Sequence, residues 1–234
     1  MEIFGLEVLE LEPSEVLGVL KGRIEDERKT FVVTLNAQML VRAKEDPVYW
    51  KILKSADLRV VDGVGVQMAL RLKYGKSVQR YPGVDIMKDL LSLSKIEEWT
   101  IYLLGAKEEV VSKLHRILKS SGVNVVGYHN GYFAGDGPVE EIVSLKPDLV
   151  FVAMGVPRQE EWIFSNIDKF EKGIFIGVGG SFDVLSGFKR RAPEWVRNLG
   201  LEWLYRTIQS PKEKWKVPLD IAKFSLYTLA EVLK

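Results

Sequence analysis

Six short apolar runs punctuate the chain, at 30–34, 58–61, 100–104, 123–128, 149–154 and 174–178. They are rich in Val, Ile, Leu and Phe and do not alternate with polar residues. That pattern marks strands buried on both faces, as in a parallel sheet. Between most of them apolar positions recur at helical spacing, over 47–56, 64–74, 83–95, 108–121 and 157–170. Pro47 stands at a first helical position, where its missing N–H costs nothing. Alternating strand and helix predicts an α/β fold: a Rossmann-like, mostly parallel sheet flanked by helices. The first dozen residues read as one or two short extra strands at an edge, with Ser14 capping the helix that follows. No internal repeat or low-complexity linker interrupts the chain.

The texture changes near residue 190. Residues 187–216 hold eight basic residues (Lys189, Arg190, Arg191, Arg197, Arg206, Lys212, Lys214 and Lys216) against Glu194, Glu202 and Glu213. That segment is +5, which leaves −4 for the rest of a chain whose net charge is +1. Trp195, Trp203, Trp215 and Tyr205 fall within it. A final helix from about Pro218 puts Leu219, Ala222, Leu226, Leu229 and Leu233 on one stripe, widened by Ile221, Phe224 and Val232. Two readings fit: a segment lying on a membrane surface, or helices packed on the core with a solvated basic rim. The boundaries drawn are an α/β catalytic domain over 1–190 and a basic, Trp-rich helical appendage over 191–234.

Composition narrows the function. With 47% apolar residues in 234, the chain can bury a full core. The near-zero net charge excludes a globally basic nucleic-acid binder. The absence of cysteine excludes disulfide and thiolate chemistry and leaves zinc only His115, His129 and carboxylates. The two histidines are far apart, so no metal site is expected. The N-terminus has neither the basic start nor the apolar core of a signal peptide. No run reaches the ~20 apolar residues of a spanning helix. These features fit a cytoplasmic protein, and one that meets a membrane would lie on it.

In α/β sheets ligands bind beyond the carboxyl ends of strands. The runs end in Thr34-Leu35-Asn36, Asp62-Gly63-Val64-Gly65, Gly155-Val156-Pro157-Arg158-Gln159-Glu160 and Gly177-Val178-Gly179-Gly180-Ser181-Phe182-Asp183. Gly179-Gly180 before a helix suits a nucleotide cradle, and equally close packing. Asp62 suits a general base, or an Asp-Gly turn or helix cap. Arg80 suits phosphate binding or an ordinary surface. Gln159 and Asn36 suit sugar hydroxyls or backbone groups. A dinucleotide fingerprint starting at Gly63 breaks at Met68, where the third glycine belongs, which argues against NAD.

Together these stretches resemble the WecG/TagA/CpsF family of bacterial glycosyltransferases. The likeness adds Asp85 after Gly83-Val84, Leu103-Leu104-Gly105, Gly131-Tyr132-Phe133, Pro147-Asp148, Arg190-Arg191-Ala192-Pro193 and 200–206. It spans Thr34 to Trp215. It implies an inverting, metal-independent transferase with no cofactor. The implied donor is a UDP-sugar, N-acetylmannosamine or a relative. The implied acceptor is N-acetylglucosamine linked to polyprenyl diphosphate, in cell-surface polysaccharide assembly. It implies Asp62 as base near Thr34, Asn36, Arg80 and Gln159. Tyr132, Gly179, Gly180, Phe182 and Asp183 would line the nucleotide, with Arg191 and Arg206 beside the diphosphate. It also implies a tail resting on the membrane. Where the family carries an arginine-rich run after Pro211, this chain reads Lys212-Glu213-Lys214-Trp215-Lys216, charge without bidentate fork geometry. Two further readings are a non-catalytic nucleotide-sugar-binding protein docked on a membrane assembly, and a nucleic-acid binder acting through the tail. The apolar and Trp-rich character of the tail favours lipid over nucleic acid. Self-association through its apolar stripe is a further expectation.

Overall fold

The computed structural model describes residues 1–233, with the side chains of Glu213 and Lys214 outside the description. Among these residues eight strands form: β1 (Glu2–Ile3), β2 (Leu6–Glu7), β3 (Lys29–Leu35), β4 (Leu58–Val61), β5 (Ile101–Gly105), β6 (Val125–His129), β7 (Leu149–Ala153) and β8 (Gly173–Gly177). Six of them make one wholly parallel sheet in the order β4-β3-β8-β7-β5-β6. The helices are α1 (Pro13–Glu25), α2 (Ala37–Glu45), α3 (Pro47–Ser55), α4 (Val64–Tyr74), α5 (Gly83–Ile96), α6 (Glu108–Ser120), α7 (Val139–Leu145), α8 (Arg158–Asn166), α9 (Ser181–Leu185), α10 (Glu194–Asn198), α11 (Glu202–Gln209), α12 (Pro211–Lys214) and α13 (Val217–Val232).

The unbroken apolar runs have a direct cause. Successive strand residues point to opposite faces, and both faces are covered. Phe31, Val33, Leu35, Tyr102, Leu104, Val150, Val152 and Phe175 enter one core with residues of α2, α3, α4, α8 and α13. Val32, Val60, Ile101, Leu103, Phe151, Ile174 and Ile176 enter the other with α1, α5, α6 and α9. Strand β6, at the sheet edge, is only half-buried throughout.

Two local expectations need correction, and one open alternative is decided. The N-terminal strands do not extend the main sheet. They pair with each other, and Phe4 holds the turn between them: its carbonyl accepts from Trp50 Nε1 (2.9 Å) and its N–H donates to Glu231 of α13 (3.2 Å). Ser14 does not cap α1. The helix already starts at Pro13, whose fixed φ suits the first turn, and Glu12 and Glu15 close a reciprocal capping box. For the stripe of α13, open between a core face and a membrane face, the leucines turn away from the core. Leu219, Leu226, Leu229 and Leu233 are 55, 66, 49 and 84% exposed, while Val217, Phe224 and Thr228 make the buried face.

Strand order reverses between β5 and β7: β5 leads outward to β6, β7 inward to β8. Likewise β3 leads outward to β4 while β8 closes against its other side. These reversals open crevices at the carboxyl edge of the sheet.

Candidate active site

The crevice flanking β3 gathers most of the candidate residues. Thr34, at the end of β3, is buried, and its hydroxyl donates to the Gly177 carbonyl of β8 (2.9 Å). Asn36 follows and caps α2, its Oδ1 accepting from the Met39 N–H (3.2 Å). Its amide NH2 is left over for a ligand. One strand outward, the Asp62 N–H continues the ladder to Leu35 O (2.9 Å), and the carboxylate stands just past β4. Gly63, not Asp62, is the N-cap of α4. The Asp62 carboxylate thus caps no helix, and no hydrogen bond to it occurs among the described residues.

Charges surround it. Burial raises Asp62 to about 6; Arg206 and Arg80 pull it down, while Glu202 and Asp85 push it further up. Arg80 reaches the carbonyl of Arg197 (Nη2–O 3.5 Å). Arg191 forks onto Asp85 of α5 at 2.6 and 2.5 Å. Arg206 pairs with Glu202 one turn away on α11 (2.5 Å). Three arginines and three carboxylates are therefore interleaved around the strand end. Arg191 and Arg206 both hold protein carboxylates here, so a diphosphate would compete with Asp85 and Glu202 for them. Arg197, passed over as a site residue from sequence alone, has its Nε buried with no partner among the described residues. The segment carrying these arginines presses on the crevice: a Cβ at Gly200 would lie 2.9 Å from Val64 Cγ2, in the first turn of α4.

Gln159, in the first turn of α8, bridges two strand ends. Its Oε1 accepts from the N–H groups of Gly155 (3.1 Å) and Gly179 (3.0 Å), both at positive φ. Its Nε2 donates to Glu160 (2.6 Å). The amide oxygen is thus fully used inside the protein, and the residue is buried with it. Glu160 is 1% exposed, and burial pushes its carboxyl up to about 8 against hydrogen bonds from Gln159 and Tyr49. No sequence signal separated this carboxylate from its half-buried neighbour Glu161.

The remaining expectations divide. Gly179 and Gly180 stand open at the edge before α9, and Asp183 is half-buried in its first turn. Phe182 is 0% exposed. It packs in the core because it faces the sheet from a short helix, so its ring lines no nucleotide. Tyr132 belongs to a neighbouring crevice. It is exposed on the loop after β6 with Arg158 over its ring (5.9 Å), and Arg158 Nη2 donates to Gly131 O (2.6 Å). His115 stacks on Tyr128, and His129 meets Phe133 edge-on. Among the described residues no three His, Asp or Glu side chains cluster as metal ligands, and no helix is long and apolar enough to cross a membrane.

The carboxyl edge of this parallel α/β sheet thus carries a desolvated carboxylate among guanidiniums, an arrangement suited to group transfer. The chain belongs to the glycosyl transferase WecG/TagA/CpsF family, whose model matches residues 1–234. Among its relatives is an N-acetylglucosaminyldiphosphoundecaprenol N-acetyl-beta-D-mannosaminyltransferase of Bacillus subtilis (strain 168). It is 36% identical over 214 residues, which cover 90% of this chain and 83% of the relative. A protein of the same name from Staphylococcus aureus (strain MW2) is 35% identical over 185 residues, covering 78% and 73% respectively.

Proposed function

We propose that this protein is an inverting, metal-independent glycosyltransferase. It would move N-acetylmannosamine or a related sugar from a UDP-sugar to N-acetylglucosamine on polyprenyl diphosphate, for cell-surface polysaccharide assembly. The observation that carries the reading is the Asp62 carboxylate: desolvated, without a hydrogen bond among the described residues, and set among Arg80, Arg191 and Arg206. Such a group takes the proton from the acceptor hydroxyl as its oxygen attacks the anomeric carbon. The bond from that carbon to the diphosphate breaks, UDP departs with the electron pair, and the proton later passes from Asp62 to water. Guanidiniums near the breaking bond stabilise the charge that develops on UDP. Asn36 offers a free amide, and the Gly179–Gly180 edge gives the nucleotide close approach. The relatives' names support the sugar and the lipid acceptor.

Residues 191–234 are proposed to rest on the inner face of the membrane. The exposed leucines of α13, with Trp195 and Trp215 each 66% exposed beside basic residues, support that placement. The test is transfer to a short-chain polyprenyl-diphosphate N-acetylglucosamine from a panel of UDP-sugars in EDTA. Product is expected with one N-acetylhexosamine donor. Measurable UDP binding without product from any donor would instead support the non-catalytic nucleotide-sugar-binding reading.

A further inference from the structure

Beneath the crevice runs a buried hydrogen-bond chain for which the proposed reaction has no use. Tyr49 of α3 donates its hydroxyl to Glu160 Oε2 (3.1 Å), and Glu160 Oε1 accepts from Gln159 Nε2 (2.6 Å). Gln159 Oε1 in turn accepts from Gly155 and Gly179 (3.1 and 3.0 Å). Those two glycines follow β7 and β8, the strands whose ends shape the crevice. Gly177 makes room for the amide, since a Cβ there would lie 2.5 Å from Gln159 Nε2. A carboxylate buried this deeply is costly unless it has hydrogen-bond work to do. Glu160 and Tyr49 are each 1% exposed, so neither can touch a ligand.

We infer that Glu160 and Tyr49 are positioning residues: they hold the Gln159 amide in the one orientation that draws the Gly155 and Gly179 loops together as the floor of the donor site. The reason is the polarity of an amide. Turned by half a rotation, Gln159 would point its NH2 at two N–H donors and its oxygen at a carboxylate. The two backbone N–H groups, which can only donate, oppose that turn; Glu160 Oε1 takes the Nε2 hydrogen on the other side, and the Tyr49 hydroxyl holds Glu160 from behind. The other groups facing this chain are the backbone N–H of Glu160 itself, Glu161, and Arg42 of α2 stacked on the Tyr49 ring (5.4 Å). The inference rests on the proposed donor site, but the chain itself can be tested without a ligand.

The experiment follows UDP affinity from pH 6 to pH 9 in wild type, Gln159→Glu, and the swap Gln159→Glu with Glu160→Gln. Gln159→Glu faces one carboxylate with another, a pair tolerated only while it shares a proton. Its affinity is expected to fall at least about tenfold more than wild type across that range, because two buried acceptors then oppose each other. The swap restores a donor facing an acceptor, so whatever affinity it loses with the Gln159 amide, that affinity should vary with pH no more than the wild-type affinity does. As a readout that needs neither UDP nor a risky core change, Tyr49→Phe should speed amide exchange at Gly155 and Gly179 in the free protein by about tenfold. A Gln159→Glu profile parallel to wild type, a swap that declines as Gln159→Glu does, or unchanged glycine exchange in Tyr49→Phe would each overturn the inference. Wild type that binds no UDP would defeat the donor-site reading alone, since glycine exchange would still decide the positioning one.

Discussion

Asp62 stands where two demands on a carboxylate conflict. Ionisation is needed for proton abstraction, yet burial works against it and lifts the group from 3.8 to about 6. The same shift acts on stability. Between the unfolded value near 3.8 and the folded value near 6, the folded state holds the extra proton, so stability falls as pH rises and stays reduced above pH 6. Asp62→Asn removes the penalty. It should raise the unfolding free energy at pH 8 by up to about 3 kcal/mol and leave it unchanged at pH 3, measured by thermal or denaturant unfolding at both pH values. Equal effects at both would show that Asp62 is not desolvated. The candidate residues at this scale were legible because each follows an apolar run; what each one does was not. Asn36 proved to be a helix cap that also retains a free amide, and Phe182 a core residue. Gln159 joins two strand ends, and no pattern distinguishes its partner Glu160 from the half-buried Glu161 after it. Partnership across 111 residues, as between Tyr49 and Glu160, leaves no trace in local spacing.

Among elements, the short helices after β8 decide how the arginines meet Asp62. Segment 187–193 leaves α9 and is held to α5 by the Arg191–Asp85 fork, with Arg191 16% and Asp85 32% exposed. Breaking a half-buried bidentate pair strands a guanidinium. Asp85→Asn should therefore cost about 1–3 kcal/mol in thermal unfolding and weaken UDP binding, if Arg191 is held in place by this contact. Unchanged stability would show that the fork is incidental. Periodicity marked strand β4 and helix α4 at their observed ends, because burial on two faces or one imposes its own spacing. It passed over α2 and α7. Helix α2 follows β3 after one residue, Asn36, and its buried Met39, Leu40 and Val41 are consecutive, which hides the helical period. Helix α7 has seven residues, too short for a repeat to show.

At the scale of the whole molecule, the two ends of the chain are joined. Glu231 of α13 accepts from Phe4 and pairs with Lys73, and Phe224 meets Phe4 edge to face (5.9 Å). This anchors the polar and aromatic side of α13 and turns Leu219, Leu226, Leu229 and Leu233 outward. A helix with that much apolar surface in water needs a partner. Leu226→Glu with Leu229→Glu should reduce co-sedimentation with anionic vesicles at least about tenfold, because two leucines no longer enter the bilayer. UDP affinity should be kept, since neither leucine is near the strand ends. Undiminished sedimentation would move the membrane contact away from α13. The stripe itself was plain in the sequence, but the side it presents was not. An amphipathic repeat is the same whether it faces a core or a lipid, and the choice is made where Glu231 of α13 meets Phe4 and Lys73, both far away in the chain.

The central claim is that Asp62 is the base, and the pH dependence of kcat/KM for transfer tests it most directly. That ratio reports the free enzyme's ionisations, so wild type should lose activity below pH ~6 with a single acidic limb as Asp62 takes up its proton. Asp62→Asn should be slower by roughly 10²–10⁴-fold and show no such limb. An acidic limb that persists near pH 6 in Asp62→Asn, or a rate within a few-fold of wild type, would contradict the account.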